Sequence, residues 1–128
     1  MDYILDADWI IQALAGDKKT INKLQNLRGY KLAVSLIQIG EIYEEAYTYA
    51  NPEEQLKQFQ QFLRPFEILN LNEPIMQRFA EIRSYLRRKG EIIQDFDILL
   101  AATAQHHNLT ILTYNKRHLD RIPNLRTE

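Results

Sequence analysis

Short apolar runs alternate along this chain with longer stretches in which apolar residues recur every three or four positions. Tyr3-Ile4-Leu5 and Lys31 to Ser35 (KLAVS) are compact apolar segments, and each reads as a buried strand. Phe66 to Leu71 (FEILNL) alternates and reads as a third strand; Thr110 to Thr113 reads as a fourth. Between them the period changes. Trp9 to Ala15 reads as a helix with Asp8 as its N-cap. Lys18 to Leu27 follows, with Ile21, Leu24 and Leu27 on one face, and Gly29 is placed to stop it. Leu36 to Tyr49 is helical in pattern, and Asn51-Pro52 stops it and restarts the chain as Glu53 to Phe62. Asn72 caps a long helix whose stripe is Ile75, Phe79, Ile82 and Leu86, ended by Gly90. Glu91 to Asn115 then holds an almost wholly apolar helical run with Asp97 at its head and Asp95 competing for the cap. Arg117 to Arg121 reads as one more helical turn, and Pro123 to Arg126 as a tail or a last edge strand.

Strands that alternate with helices predict a parallel sheet covered on both faces, an α/β fold built as a three-layer α/β/α sandwich. Pairs of helices between the first three strands predict a helical projection. No repeat, low-complexity segment or linker divides the chain, so residues 1–128 are expected to form a single domain.

Composition narrows the function. The chain has no Cys, which removes disulfides and thiolate zinc sites and suits a reducing, cytoplasmic compartment. No apolar run approaches the roughly 18 residues of a membrane span. The start, MDYILDADWII, lacks the basic region and cleavage site of a signal peptide. A net charge of −1 argues against nucleic-acid binding by bulk charge, though not against a basic strip beside an acidic, metal-loaded site.

Three carboxylates are the chemistry to explain. In parallel α/β sheets ligands sit beyond the carboxyl ends of the strands. Asp6 ends the first strand, Glu41 lies early in the helix after the second, and Asp97 heads the helix before the fourth. Carboxylates gathered in one cleft repel one another unless a cation holds them. Oxygen donors without nearby His or Cys favour Mg²⁺, with Mn²⁺ as a substitute, over Zn²⁺. Such a centre suits metal-assisted attack of water on a phosphodiester. The plainer readings are an N-cap for Asp6 and a solvated helix charge for Glu41.

The motifs carrying these acids resemble those of the PIN-domain ribonucleases, and among them the VapC-type toxins of bacterial toxin–antitoxin pairs. Tyr3 to Asp8 is similar to the family's apolar strand ending in Asp-Thr-Asn or Asp-Thr-Ser. Ser35 to Tyr43 (SLIQIGEIY) is similar to its second motif, with Glu41 as the acid. Leu86 to Gly90, then Asp97 to Ala104 (DILLAATA), is similar to its most specific segment. Leu112 to Leu119 (LTYNKRHL) with Ile122 to Leu125 (IPNL) is similar to its closing motif. The resemblance implies a Mg²⁺-dependent endoribonuclease with Asp6, Glu41 and Asp97 as metal ligands, and Asn115 as a further catalytic residue that orients a metal-bound water. It also implies a homodimer, an RNA substrate and a cognate VapB-type antitoxin that plugs the cleft.

Four positions depart from the family pattern. Ala7 and Asp8 replace the usual Thr and Asn or Ser, Gln38 replaces a hydroxyl residue, and His118 stands where another acid is common. Asp8 is read as a helix cap, with an extra carboxylate as the alternative. Arg83, Arg87, Arg88 and Lys89 are either RNA phosphate contacts or a solvated helix end. His106 and His107 are read as structural, and Tyr43, Tyr47 and Tyr49 as core or interface. The helix pair from Leu36 to Leu63, apolar on several faces, fits a groove for a partner helix. Two other classes compete: a non-catalytic PIN-like binding module, and an Asp-based phosphoryl domain suggested by Asp6-x-Asp8. The second lacks the hydroxyl residue it needs, since Trp9-Ile10-Ile11 follows.

Overall fold

Strands Tyr3–Leu5, Leu32–Ser35 and Thr110–Leu112 are buried on both faces, while the edge strand Glu67–Leu69 buries only Leu69. In the computed structural model, which describes residues 2–128, the order is β1 (Tyr3–Leu5), α1 (Ala7–Leu14), α2 (Lys18–Asn26), β2 (Leu32–Ser35), α3 (Leu36–Ala46), α4 (Pro52–Leu63), β3 (Glu67–Leu69), α5 (Glu73–Arg88), α6 (Asp95–His106), β4 (Thr110–Leu112) and α7 (Lys116–Leu119). The sheet order is β3-β2-β1-β4, and all three pairings are parallel. Ile4, Ala33, Leu69 and Ile111 pack on one side with the apolar stripes of α5 and α6. Tyr3, Leu5, Val34 and Leu112 pack on the other with α1, α3 and α4. This is the α/β/α sandwich that the sequence predicts, and the period-two alternation of side chains explains it.

Helix α6 is enclosed rather than amphipathic, with every residue from Ile98 to Ala104 buried. Ala101, Ala102 and Ala104 have no exposed surface, so small side chains let α6 lie close to its neighbours. It runs antiparallel to α5. Arg78 Nε donates to Gln105 Oε1 at 2.6 Å at one end, and Arg83 Nε meets Asp95 Oδ1 at 3.0 Å at the other. The polypeptide after α7 closes the outer edge of β4 with a single parallel bridge, Ile111 to Thr127. Ile111 N donates to Arg126 O, Glu128 N to Ile111 O, and Thr113 N to Glu128 O.

Several boundaries are corrected. Asp6, not Asp8, caps α1: its Oδ1 accepts from Ala7 N at 2.8 Å. The first strand ends one residue before Asp6, so the helix starts at once and Asp8 falls within its first turn. Gln94 holds the N-cap position of α6 without a side-chain bond, and Asp95 is already helical. Asn51 likewise makes no capping bond; its Nδ2 donates to Glu54 instead. Helix α3 stops at Ala46, where Thr48 Oγ1 turns back to Glu45 O at 2.7 Å.

The enclosure of α6 sets an expectation. Ala102→Leu should lower stability by about 1–3 kcal/mol, because the added methylenes find no space. Urea unfolding checks it, and an unchanged midpoint would show that the helix can move away.

Candidate active site

Asp6 is where two strands and a helix meet. Its backbone N donates to Leu112 O at 2.9 Å, tying the end of β1 to β4. Its side chain is buried and both oxygens are committed: Oδ1 to Ala7 N, and Oδ2 to Thr113 Oγ1 at 2.7 Å. Thr113, just past β4, is buried too, and its Oγ1 accepts from Asn115 N at 2.8 Å. Asn115 Nδ2 then donates to Asp97 Oδ2 at 3.2 Å, while its Oδ1 faces His118 Nδ1 at 2.7 Å. A continuous polar chain thus joins the strand end, the β4–α7 turn and the first turn of α6.

Glu41 approaches from α3. Gln38 is wholly buried one turn earlier, bonded to Ser35 Oγ, and its Nε2 lies 3.5 Å from Glu41 Oε1. The amide standing where the family has a hydroxyl therefore holds the acid directly.

The four carboxylates register one another. Burial pushes Asp6 up to about 7; the charge of Asp8 adds to this, Thr113 and Ala7 oppose it, and Asp97 adds a little more. Burial also raises Asp8, against the amides of Tyr114 and Trp9, with Asp97 adding to the rise. Glu41 is raised by burial and then by Asp97, with Gln38 opposing and Asp8 and Glu44 adding. Asp97 is raised by burial, against the favourable effects of His118 and Asn115. Asp8 Oδ1 is sealed from solvent and has no hydrogen-bond partner; the Tyr114 and Trp9 amides favour the charge without bonding this atom.

The donor set is one for a hard cation: carboxylate oxygens, an amide and no thiolate. The orphaned Asp8 oxygen and the uniformly raised acids fit a cation that would relieve both. Among the described residues, however, no three acid or imidazole side chains stand as a finished coordination shell. Asp6 is oriented by its two bonds, each of which leaves its oxygen a further lone pair, and the half-buried Asp8, Glu41 and Asp97 stand beside it.

Of the sequence candidates, Asp6, Asp97 and Asn115 are joined by hydrogen bonds, and Glu41 faces Asp97 electrostatically. Asp8 is the residue that sequence reasoning misassigned. Its signal was the i, i+2 acid pair at a strand end, where only one acid can cap the helix. His106 and His107 lie at the opposite end of α6, rings edge-on at 4.8 Å.

The family model for the PIN domain matches residues 3–125. The chain is 29% identical over 128 residues to ribonuclease VapC2 of Haemophilus influenzae, covering 100% of this chain and 97% of that relative. It is 26% identical over 128 residues to the tRNA(fMet)-specific endonuclease VapC of Shigella flexneri, with 100% and 97% covered. It is similar to the solved structure of VapBC2 from Rickettsia felis bound to a DNA fragment from its promoter. There the TM-score is 0.93 at 28% identity, covering 100% of this chain and 98% of that one.

The raised acids make metal-free stability depend on pH. Asp6 has an ordinary value of 3.8 and about 7 when folded. Its folded value is the higher one, so its contribution is complete below about pH 4 and is lost as pH rises through about 7. Asp8, Glu41 and Asp97 shift the same way. Thermal melting in EDTA should show stability falling from about pH 4 to about pH 7, and Asp6→Asn should flatten that slope. Parallel profiles for the two proteins would contradict the assignment.

Proposed function

The chain belongs to the PIN-domain family, and from that premise we propose that it is a Mg²⁺-dependent endoribonuclease. It is the toxin of a VapBC-type pair, acting in the cytoplasm as a homodimer and silenced by a VapB-type antitoxin. The observation that carries this reading is the gathering of four desolvated carboxylates beyond the carboxyl ends of β1 and β2, two of which, Asp6 and Asp97, are joined through Thr113 and Asn115. The names of the full-length relatives, a ribonuclease and a tRNA-specific endonuclease, support the substrate class. The VapBC2 complex supports the partner. Leu36 and Tyr47, 51% and 66% exposed on and just after α3, supply apolar surface for a partner helix.

Asp6, Glu41 and Asp97 would hold the ion, with Asp8 Oδ1 as the spare oxygen. Bound there, Mg²⁺ lowers the pKa of a water molecule and neutralises charge on the phosphoryl oxygens. The remaining work belongs to the protein. Thr113 fixes Asp6 so that the carboxylate is presented in one orientation. Asn115 directs its amide at Asp97 and leaves its backbone anchored to Thr113, which places the β4–α7 turn at the mouth of the site. Gln38 holds Glu41 from below. Burial of these groups lowers the local dielectric and strengthens each interaction with an incoming phosphate.

Incubation with transfer RNA and other structured RNAs in Mg²⁺ should give cleavage that EDTA stops. Asp97→Asn should reduce the rate by at least about 10²-fold. Indistinguishable RNA patterns from wild type and Asp97→Asn would sink the enzymatic reading in favour of a binding module. Thr113→Val removes both the support of Asp6 and the anchor of the Asn115 backbone, and should cost about 10- to 100-fold in metal affinity or rate while the protein stays folded. Unchanged Mn²⁺ titration and turnover would show that Thr113 is incidental.

A further inference from the structure

Beside the acids, the connection between α5 and α6 shapes a trough. A hollow of about 380 Å³ contains Asp97, Asn115 and His118 together with Ile92 and Ile93. A second hollow, of about 310 Å³, is walled by Arg87, Glu91, Ile92 and Ile93 over the buried Leu86 and Ile98. Ile92 and Ile93 line both, so the two form one path leading away from the acid site.

Three side chains along this path face it. Ile92 is 88% exposed, an apolar surface that nothing in the chain covers. The Glu91 side chain is 39% exposed overall; its Oε2 is sealed from solvent beside Arg121 Nε at 3.9 Å, an ion pair too long to be a hydrogen bond. Arg87 forms no ion pair among the described residues, whereas its neighbour Arg83 is held by Asp95. An apolar platform between a part-exposed carboxylate and a guanidinium outside any ion pair among the described residues matches the parts of a nucleotide. The base packs on the platform, its N–H edge meets the carboxylate, and its phosphate meets the cation. A strand whose phosphodiester lies at Asp97 has this path open to its adjoining nucleotide.

We propose that this trough is the subsite for an unpaired nucleotide flanking the scissile phosphate. The base lies on Ile92 against Glu91, and the phosphate lies on Arg87. Glu91 is then a specificity-determining residue, selecting a base that presents an N–H donor. This inference rests on the ribonuclease reading for its position relative to the cut, and it adds to that reading which side chains choose the flanking base.

Two measurements on the full chain test it. The first is binding of fluorescein-labelled single-stranded RNA hexamers in EDTA, read by anisotropy over a range of salt. Arg87→Gln should weaken binding about three- to tenfold and lower the salt slope by about 1. Ile92→Asp should weaken it about tenfold. The second is cleavage of a random-sequence RNA pool in Mg²⁺, with the cut ends sequenced. Wild type should favour an N–H-donating base at one flanking position. Glu91→Gln should erase that preference at least about threefold while total cutting persists. A chain that cuts RNA while the variants bind and choose bases like wild type overturns the trough. So does a result in which the variants alter only self-association or antitoxin capture, since the surface is then a protein interface. Hexamer binding lost as expected in the variants, with no cutting by wild type in Mg²⁺, upholds the trough and overturns the ribonuclease reading.

Discussion

The hydrogen bond from Thr113 to Asp6 fixes the geometry on which the rest of the site depends. It spans 107 positions of sequence and locks the ends of two adjacent strands at the residue where α1 begins. One carboxylate thereby serves three purposes: it caps a helix, closes the β1–β4 seam and faces the other acids. The cost is a buried carboxyl group. Burial does most to push the acid up to about 7, and the charge of Asp8 and then of Asp97 adds to the rise. A buried acid displaced this far from its ordinary range is a mark of a candidate functional site.

Around this point the supporting residues are arranged by distance from the sheet. Asp6 and Thr113 are buried and rigid, on or beside strand ends. Glu41 and Asp97 are half-buried on helices, and His118 is exposed on a short turn of helix. Burial therefore decreases outward from the sheet. The inner pair is enclosed, and the outer groups face the open side of the cluster.

Most of the architecture was legible because burial on both faces of a sheet leaves strong apolar runs, and because α6 announces itself by a helical stretch with no polar face. The acids Asp6, Glu41 and Asp97 were legible because each follows or heads a recognisable element. The role of Asp8 was not. Two acids two residues apart satisfy the same capping rule, and the decision rests on where β1 stops, which pairing with β4 determines across the whole chain. Gln38 was hidden for a similar reason: its contacts with Ser35 and Glu41 depend on this one polar side chain in the first turn of α3 facing inward, and local composition does not encode that. That Arg87 stands outside every ion pair among the described residues is likewise a negative property, visible only once the possible partners have been placed.

The long reach of the β1–β4 seam also bears on how the molecule comes into being. Synthesis delivers Asp6 and Glu41 within the first third of the chain, but Asp97, Thr113 and Asn115 arrive only in the last quarter. Until β4 has formed, Asp6 lacks its second partner and the cluster is short of an acid. Contacts so distant in sequence are slow to form and come after local helices. A partly made chain therefore carries Asp6 and Glu41 without their later partners, and the acid cluster gathers only once α6 and β4 are in place.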